Sequence, residues 1–249
     1  MPDEKNKDAV RKGYADIAKG KSGCCCGSSS PDKFAEAIGY SDEQLEFLPQ
    51  GANMGLSCGN PTAIAGLKLG QVVLDLGSGG GFDVFIAAKK LGSTGKAIGV
   101  DMTPEMLGKA RGSIRKFTEK TGLSNVISNC VINLSNDKPQ VWREIFRVLK
   151  PGGKACVSDL ALKKPLPKEV LDSAAALVSC VAGAVLIDET IKMAKQAGLH
   201  DILIDGKEYS IDVMADCNDP LYRQIRDFLP QGDKLSDYII SVDITAFRK

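Results

Sequence analysis

A parallel α/β sheet with helices on both faces is the fold class this sequence predicts, and three observations predict it. Short β-branched apolar runs, Gln71–Leu76 (QVVLDL) and Lys96–Val100, alternate with helical stretches, which is the pattern of strands joined by crossover helices. A glycine-rich segment, Gly77-Ser78-Gly79-Gly80-Gly81, follows the first run and leads into a helix, as ligand-binding strand-to-helix turns do. The second run ends at an acid, Asp101, twenty residues beyond Gly81.

Residues 1–21 read as a short basic helix and 22–30 (SGCCCGSSS) as a loop of small residues. A helix is expected over 32–48, with Phe34, Ile38, Leu45 and Leu48 on or near one face, and then a Gly/Pro-rich loop over 49–61. QVVLDL has the composition of a strand buried on both faces. Asp83–Leu91 is helical. Thr103-Pro104-Glu105 is a helix start, with a Thr cap, Pro at the first position and an acid in the first turn, and that helix runs to about Gly122. Asn136, Asp137 and Pro139 open another helix, closed by Lys150-Pro151-Gly152-Gly153; Lys154–Ser158 is then a strand ending at Asp159. After the Pro-rich connector Lys163–Lys168 come a small-residue helix over 169–182 carrying Cys180, a helix over 188–198, and strands near 202–205 and 238–247. The organisation expected is an N-terminal cap over 1–66, a cofactor-binding domain over 67–162 and a C-terminal region over 163–249.

The 249 residues carry 32 Lys and Arg against 31 Asp and Glu, a net charge of +1. Such a balance gives no electrostatic case for nucleic acid or an acidic membrane as partner. No apolar run approaches the ~18 residues of a membrane span, and MPDEKNKDAVRKGY has no apolar signal-peptide region. A cytoplasmic protein is expected. In a reducing compartment its eight cysteines suit ligands, redox thiols or buried small hydrophobes better than a disulfide framework. A single histidine, His200, leaves no His-based triad, and no carboxylate pair stands out as a general base.

The glycine turn does not fit the dinucleotide register G-x-G-x-x-G, whose sixth position would be Phe82 or Val84. Its register is D-x-G-x-G-x-G from Asp75 to Gly81, and this resembles motif one of class I S-adenosylmethionine methyltransferases. Asp101-Met102 extends the resemblance, with an acid for ribose hydroxyls and an apolar side chain for adenine. Phe146–Val157 (FRVLKPGGKACV) is similar to the helix–turn–strand after the fourth strand of that fold. The resemblance implies a Rossmann-like class I methyltransferase sheet whose N- and C-terminal caps form the substrate site. It also implies S-adenosylmethionine as methyl donor, held by Asp75, Gly77, Ser78, Gly79, Gly81, Asp101, Met102 and Asn129, the last facing the methionine end.

Within that fold, Gly55-Leu56-Ser57-Cys58-Gly59-Asn60-Pro61, Ser128–Ser135 (SNCVINLS) and Ser179-Cys180-Val181-Ala182-Gly183-Ala184 resemble the arsenite methyltransferases over nearly the whole chain. The resemblance implies that Cys58, Cys130 and Cys180 are the catalytic, arsenic-binding thiolates. The chemistry agrees, because trivalent arsenic is soft and prefers thiolate sulfur. Three sulfurs in a pyramid leave its lone pair free to accept a methyl group, so no general base is needed and catalysis is positioning and exclusion of water. Cys24, Cys25 and Cys26 are implied as an auxiliary arsenic-handling group. A thiol reductant such as glutathione or thioredoxin is implied as co-substrate, trivalent arsenicals as the small-molecule partner, arsenic detoxification as the role, and a monomer as the assembly.

Other readings stay open. Cys58, Cys130 and Cys180 lack the paired C-x₂-C spacing of structural zinc. Cys156 reads as a core residue inside a strand, and Cys217 as a loop residue without a role. The chain could instead be another small-molecule class I methyltransferase, or a metalloid-binding protein with impaired donor binding. The last reading has a reason: between Gly122 and Val126 the chain lacks a stretch that family members carry, which includes the third strand and an acid for the adenine amino group. Either the sheet is rearranged or the sequence omits residues.

Overall fold

The computed structural model describes residues 2–20, 31–49, 51–114, 125–171, 176, 180–207, 211 and 225–249. Strands β1 (Val72–Leu76), β2 (Lys96–Val100), β3 (Asn125–Asn129), β4 (Lys154–Leu162), β5 (His200–Lys207) and β6 (Ile239–Phe247) form one sheet in the order β2-β1-β3-β4-β6-β5. The first four are parallel, and β6 runs antiparallel to both β4 and β5. The alternating strand–helix pattern thus gives the expected Rossmann-like sheet, extended at one end by β6, which runs against the other strands, and β5, which runs with them. Because β2 and β3 lie on opposite sides of β1, the carboxyl ends of β1 and β3 bound a crevice, the place where open α/β sheets bind ligands.

Alternation along the central strands explains the two-faced core. Val126, Ala155 and Val157 join Trp142 and Ile145 of α7 (Lys138–Val148), Leu149 just past its end and Ala194 of α9 (Ile187–Gln196) on one face. Their neighbours Ile127 and Cys156 turn to the other face, against Ala87 and Leu91 of α5 (Phe82–Leu91). Asp137 opens α7 by accepting the Gln140 amide at 2.9 Å. Arg248 donates to the carbonyl of Phe146 at 2.8 Å at its other end. Helices α1 (Pro2–Ala18) and α6 (Pro104–Ile114) lie together, joined by Lys19 and Glu105 at 2.8 Å.

The segment next to the expected break is an ordinary central strand. Val126 pairs with Leu74 of β1 and with Ala155 of β4. No strand lies beyond β2 among the described residues. The end of the helix expected to reach Gly122 lies outside them, as do Cys24, Cys25, Cys26, Cys217 and half of the helix expected over 169–182. Of the last, α8 (Lys168–Leu171) and a helical Ala176 are described, while Cys180, expected inside the helix, sits in a turn at φ +64°.

Four further local expectations are corrected. The helix expected over 32–48 is two, α2 (Pro31–Ala37) and α3 (Asp42–Glu46). Gly39 breaks it at φ +100°, and Ser41 restarts it with its amide bonded to the Gln44 side chain at 2.9 Å. The loop expected over 49–61 leads directly into a short helix, α4 (Pro61–Ile64), capped by Asn60, whose side chain accepts the Ala63 amide at 3.0 Å. Strand β4 runs to Leu162, so Asp159 is inside it rather than at its end, because β6 pairs with its full length. Strand β5 begins at His200, two residues earlier than expected.

Candidate active site at the carboxyl edge of the sheet

The glycine turn is built by strain and close packing. Gly77 has φ +68°, and a Cβ there would lie 2.1 Å from Val131 Cγ2; Gly79 has φ +52° and Gly81 +96°. Side chains are disfavoured at all three on backbone grounds, and at Gly77 on space as well. The turn is tied to β2 by the Ser78 amide, which donates to the Val100 carbonyl at 2.9 Å. Asp101 then clamps it: one carboxylate oxygen accepts the Gly79 amide at 2.9 Å and the other the Thr103 amide at 2.8 Å.

A cavity of about 560 Å³ opens over this turn, within the ordinary range for small-molecule sites. Asp75, Gly77, Ser78, Gly79, Asp101, Met102, Asn129 and Cys130, all expected from the sequence, line it; Gly81 does not and instead starts α5. Val100 and Met102 are 42% and 50% exposed at its rim, a pair of apolar side chains on either side of Asp101 that suits a heterocyclic base. An acid held at the rim, a turn whose glycines leave its backbone bare and an apolar rim together fit a nucleoside-bearing donor.

The inner wall carries two buried acids that the sequence did not single out as a pair. Asp75 is 3% exposed, and burial first, then the nearby Asp83 and Asp101, push its pKa well above the usual carboxylate range. Asp83, in the first turn of α5, is raised to about 6 by burial, an effect opposed by hydrogen bonds from Asn129 and Tyr40 and by the charge of Lys90. Tyr40 donates to one Asp83 oxygen at 2.8 Å and Asn129 to the other at 3.1 Å. Of these residues Tyr40 was missed outright, since in the sequence it is one more aromatic inside the helix expected over 32–48.

Asn129 is the joint of the site. Its carboxamide nitrogen also donates to the Gly59 carbonyl at 2.9 Å, and its oxygen accepts the Cys58 amide at 3.0 Å. Ser241 of β6 donates to the Cys58 carbonyl at 2.8 Å. The Cys58 backbone is therefore held from the end of β3 and from β6 at once. Asn129 lines the cavity as expected, but its amide is committed to protein groups.

The three motif cysteines are brought together from their distant segments and are each at most 5% exposed. Cys58 and Cys130 pair as a disulfide with Cα atoms 5.8 Å apart, although the sequence reading favoured free thiols. Cys180 donates its thiol to the Cys130 carbonyl at 2.9 Å, and the Tyr14 hydroxyl of α1 lies 3.8 Å from its sulfur. Burial pushes the Cys180 thiol far up. Among the described residues no group of three His, Cys, Asp or Glu side chains is arranged to hold a metal ion. Cys156 is fully buried in β4, its thiol pushed up to about 11 by burial, in keeping with a core position.

Deeper behind Cys180, Asp159 accepts from the Asn133 side chain at 2.8 Å and from the Leu160 amide at 2.9 Å. Its pKa is raised to about 6 by burial.

A methyltransferase-domain family model matches residues 67–198. The arsenite methyltransferase of Halobacterium salinarum is 36% identical over 242 residues, covering 86% of this chain and 62% of that protein. That of Aquipseudomonas alcaligenes is 32% identical over 215 residues, covering 77% and 60%. The chain thus spans about three fifths of the length of these relatives. Among solved structures, an arsenic(III) S-adenosylmethionine methyltransferase from Chlamydomonas reinhardtii aligns with TM-score 0.58 at 29% identity, over 88% of this chain and 74% of that one. A phosphoethanolamine N-methyltransferase from Haemonchus contortus aligns with TM-score 0.63 at 20% identity, over 88% and 60%, a likeness of fold alone. The glycine turn, the clamping acid at the end of β2 and the matched family model agree: this chain belongs to the methyltransferase-domain family, with the class I fold, and is similar in sequence to the arsenite methyltransferases.

Proposed function

We propose that the chain methylates trivalent arsenic, with S-adenosylmethionine as donor and Cys58, Cys130 and Cys180 as the arsenic-binding thiolates. One observation carries the proposal: a single cavity is lined by the glycine turn, by Asp101 and by Cys130, with Cys58 and Cys180 in contact with Cys130. Gly77, Gly79, Asp101 and Met102 would hold the donor, which when bound supplies an electrophilic methyl group on a sulfonium. The chain's own contribution is placement. Asn129 and Ser241 fix the Cys58 backbone, burial keeps water from the sulfurs, and the acids Asp75 and Asp83 complement a cationic ligand.

The thiolate site requires the Cys58–Cys130 disulfide to be reduced, which supports a thiol reductant such as glutathione or thioredoxin as co-substrate. Arsenic detoxification in the cytoplasm by a monomer completes the reading. No helix among the described residues is long and apolar enough to cross a membrane.

A second reading has Asp83 behind it, a cavity-lining carboxylate raised to about 6 that could serve a nitrogen- or oxygen-directed methyltransferase as general base. Both its oxygens are occupied by Tyr40 and Asn129, which weighs against proton transfer to substrate. Incubating the reduced chain with donor and either arsenite or phosphoethanolamine separates the two. Methylated arsenicals alone support the proposal, and methylated amine alone overturns it.

A further inference from the structure

The segments that carry Cys58 and Cys130 rest on one polar patch of the sheet. Ser241 and Asp243 are two residues apart on β6 and so point to the same face. Ser241 donates to the Cys58 carbonyl at 2.8 Å. Asp243 accepts the hydroxyl of Ser158, its pairing partner on β4, at 2.5 Å. The Ser158 carbonyl in turn accepts the Cys130 amide at 2.8 Å. Gly59 lies directly on the pair: a Cβ there would be 3.0 Å from Ser158 Cβ and Oγ and 3.2 Å from Asp243 Oδ1. Lys207 of β5 completes the patch, pairing with Asp243 at 2.5 Å, with side chains 19% and 3% exposed.

An ion pair this deep is a poor source of stability, because desolvation offsets its attraction and apolar residues of the same volume often do as well. What it supplies here is a fixed floor. Lys207 holds the Asp243 carboxylate, and the carboxylate holds the Ser158 hydroxyl. Ser158 then meets both cysteine segments, Gly59 through its side chain and Cys130 through its carbonyl.

We infer that Asp243 is a positioning residue for Cys58: through Ser158 and Gly59 it sets where Cys58 stands relative to Cys130. Two thiols held in register act at a high effective concentration toward anything that bridges them. The inference deepens the proposed function and rests on it for the role of the two thiols as arsenic ligands.

The test uses the full chain with Cys24→Ser, Cys25→Ser and Cys26→Ser as background, so that those adjacent thiols cannot compete. Into it go Asp243→Ala, Asp243→Asn and Gly59→Ala. Arsenite and sinefungin affinities of the reduced proteins are measured by calorimetry. Separately, each protein is equilibrated with glutathione: two glutathione thiols reduce the Cys58–Cys130 disulfide, giving two cysteine thiols and one glutathione disulfide. Alkylation and mass spectrometry of the Cys58 and Cys130 peptides give the equilibrium constant, which reports the effective concentration of the pair.

Asp243→Ala is expected to bind arsenite about tenfold or more weakly and to shift the glutathione equilibrium by a similar factor toward the dithiol, with sinefungin affinity unchanged. Asp243→Asn keeps an oxygen that accepts from Ser158 and is expected to restore both readouts. Gly59→Ala wedges the same contact from the other side, is expected to match Asp243→Ala, and stands if that variant fails to fold. A merely structural role would lower thermal stability and sinefungin affinity along with the rest. That pattern overturns the inference, as do unchanged arsenite affinity and glutathione equilibrium in Asp243→Ala and Gly59→Ala, or an Asp243→Asn that behaves like Asp243→Ala. Failure of the reduced background protein to bind arsenite overturns the proposed function instead, and the glutathione equilibrium then decides the inference alone.

Discussion

The carboxylate of Asp101 accepts the backbone amide of Gly79 at 2.9 Å, so the acid closing β2 and the glycine turn following β1 are one unit. Its second oxygen holds the Thr103 amide at 2.8 Å, just ahead of α6. Lone pairs on both oxygens remain for ribose hydroxyls.

Asp101→Ala is therefore expected to act twice, removing the acceptor for ribose and releasing the turn. Charge-assisted hydrogen bonds contribute about 1.5–3 kcal/mol each, so donor affinity should fall at least tenfold by calorimetry, with arsenite binding retained. Unchanged donor affinity would contradict the assignment.

Gly77→Ala places a methyl group 2.1 Å from Val131 Cγ2 and forces alanine to φ +68°. Donor binding should be lost. The double variant Gly77→Ala, Val131→Ala removes both Cγ contacts but leaves the Val131 Cβ at 2.9 Å and the left-handed backbone, which costs about 1–2 kcal/mol. It should recover donor binding only in part, and full recovery would show that sterics alone fix the glycine.

Asp159, buried and raised to about 6, carries a sign that thermal unfolding can read. Its native pKa exceeds the unfolded value near 3.9, so its stabilising contribution is complete below about pH 4 and is lost as pH rises through 6. Relative to Asp159→Asn, the wild type should gain stability on acidification from pH 7 to 5, with a slope approaching 1.4 kcal/mol per unit. A flat difference would show that Asp159 keeps an ordinary pKa.

Much of this was legible before any coordinates. The strand-to-helix turn, the acid twenty residues on and the cysteine motifs depend on local spacing, and the cavity lining contains most of the residues expected for the donor. What could not be read depends on burial and on contacts between distant segments. Asp83 looks like an ordinary first-turn helix acid, and its sequence says nothing of Tyr40 and Asn129 closing over it. Helix 32–48 was misjudged because apolar periodicity spans the break at Gly39, where only backbone geometry separates α2 from α3. The left-handed backbones of Cys130 and Cys180, at φ 55° and 64°, have no signature in residues that are neither Gly nor Asn, the types that usually adopt it. The disulfide of Cys58 with Cys130 likewise follows from tertiary approach across a sequence separation of 72, not from spacing.

If three distant cysteines act as one arsenic site, product speciation reads out the loss of each of them. Reduced wild type, Cys58→Ser, Cys130→Ser, Cys180→Ser and Cys156→Ser are each incubated with S-adenosylmethionine, excess thiol and either arsenite or a monomethylated trivalent arsenical. Serine offers a hard, protonated hydroxyl in place of a soft thiolate. A monomethylated arsenical keeps two exchangeable positions, so Cys130→Ser and Cys180→Ser should yield no dimethylated product. Cys58→Ser should mainly impair methylation of arsenite, and Cys156→Ser, altered only in the core, should retain turnover. Full dimethylation by Cys130→Ser or Cys180→Ser would contradict the three-thiolate account.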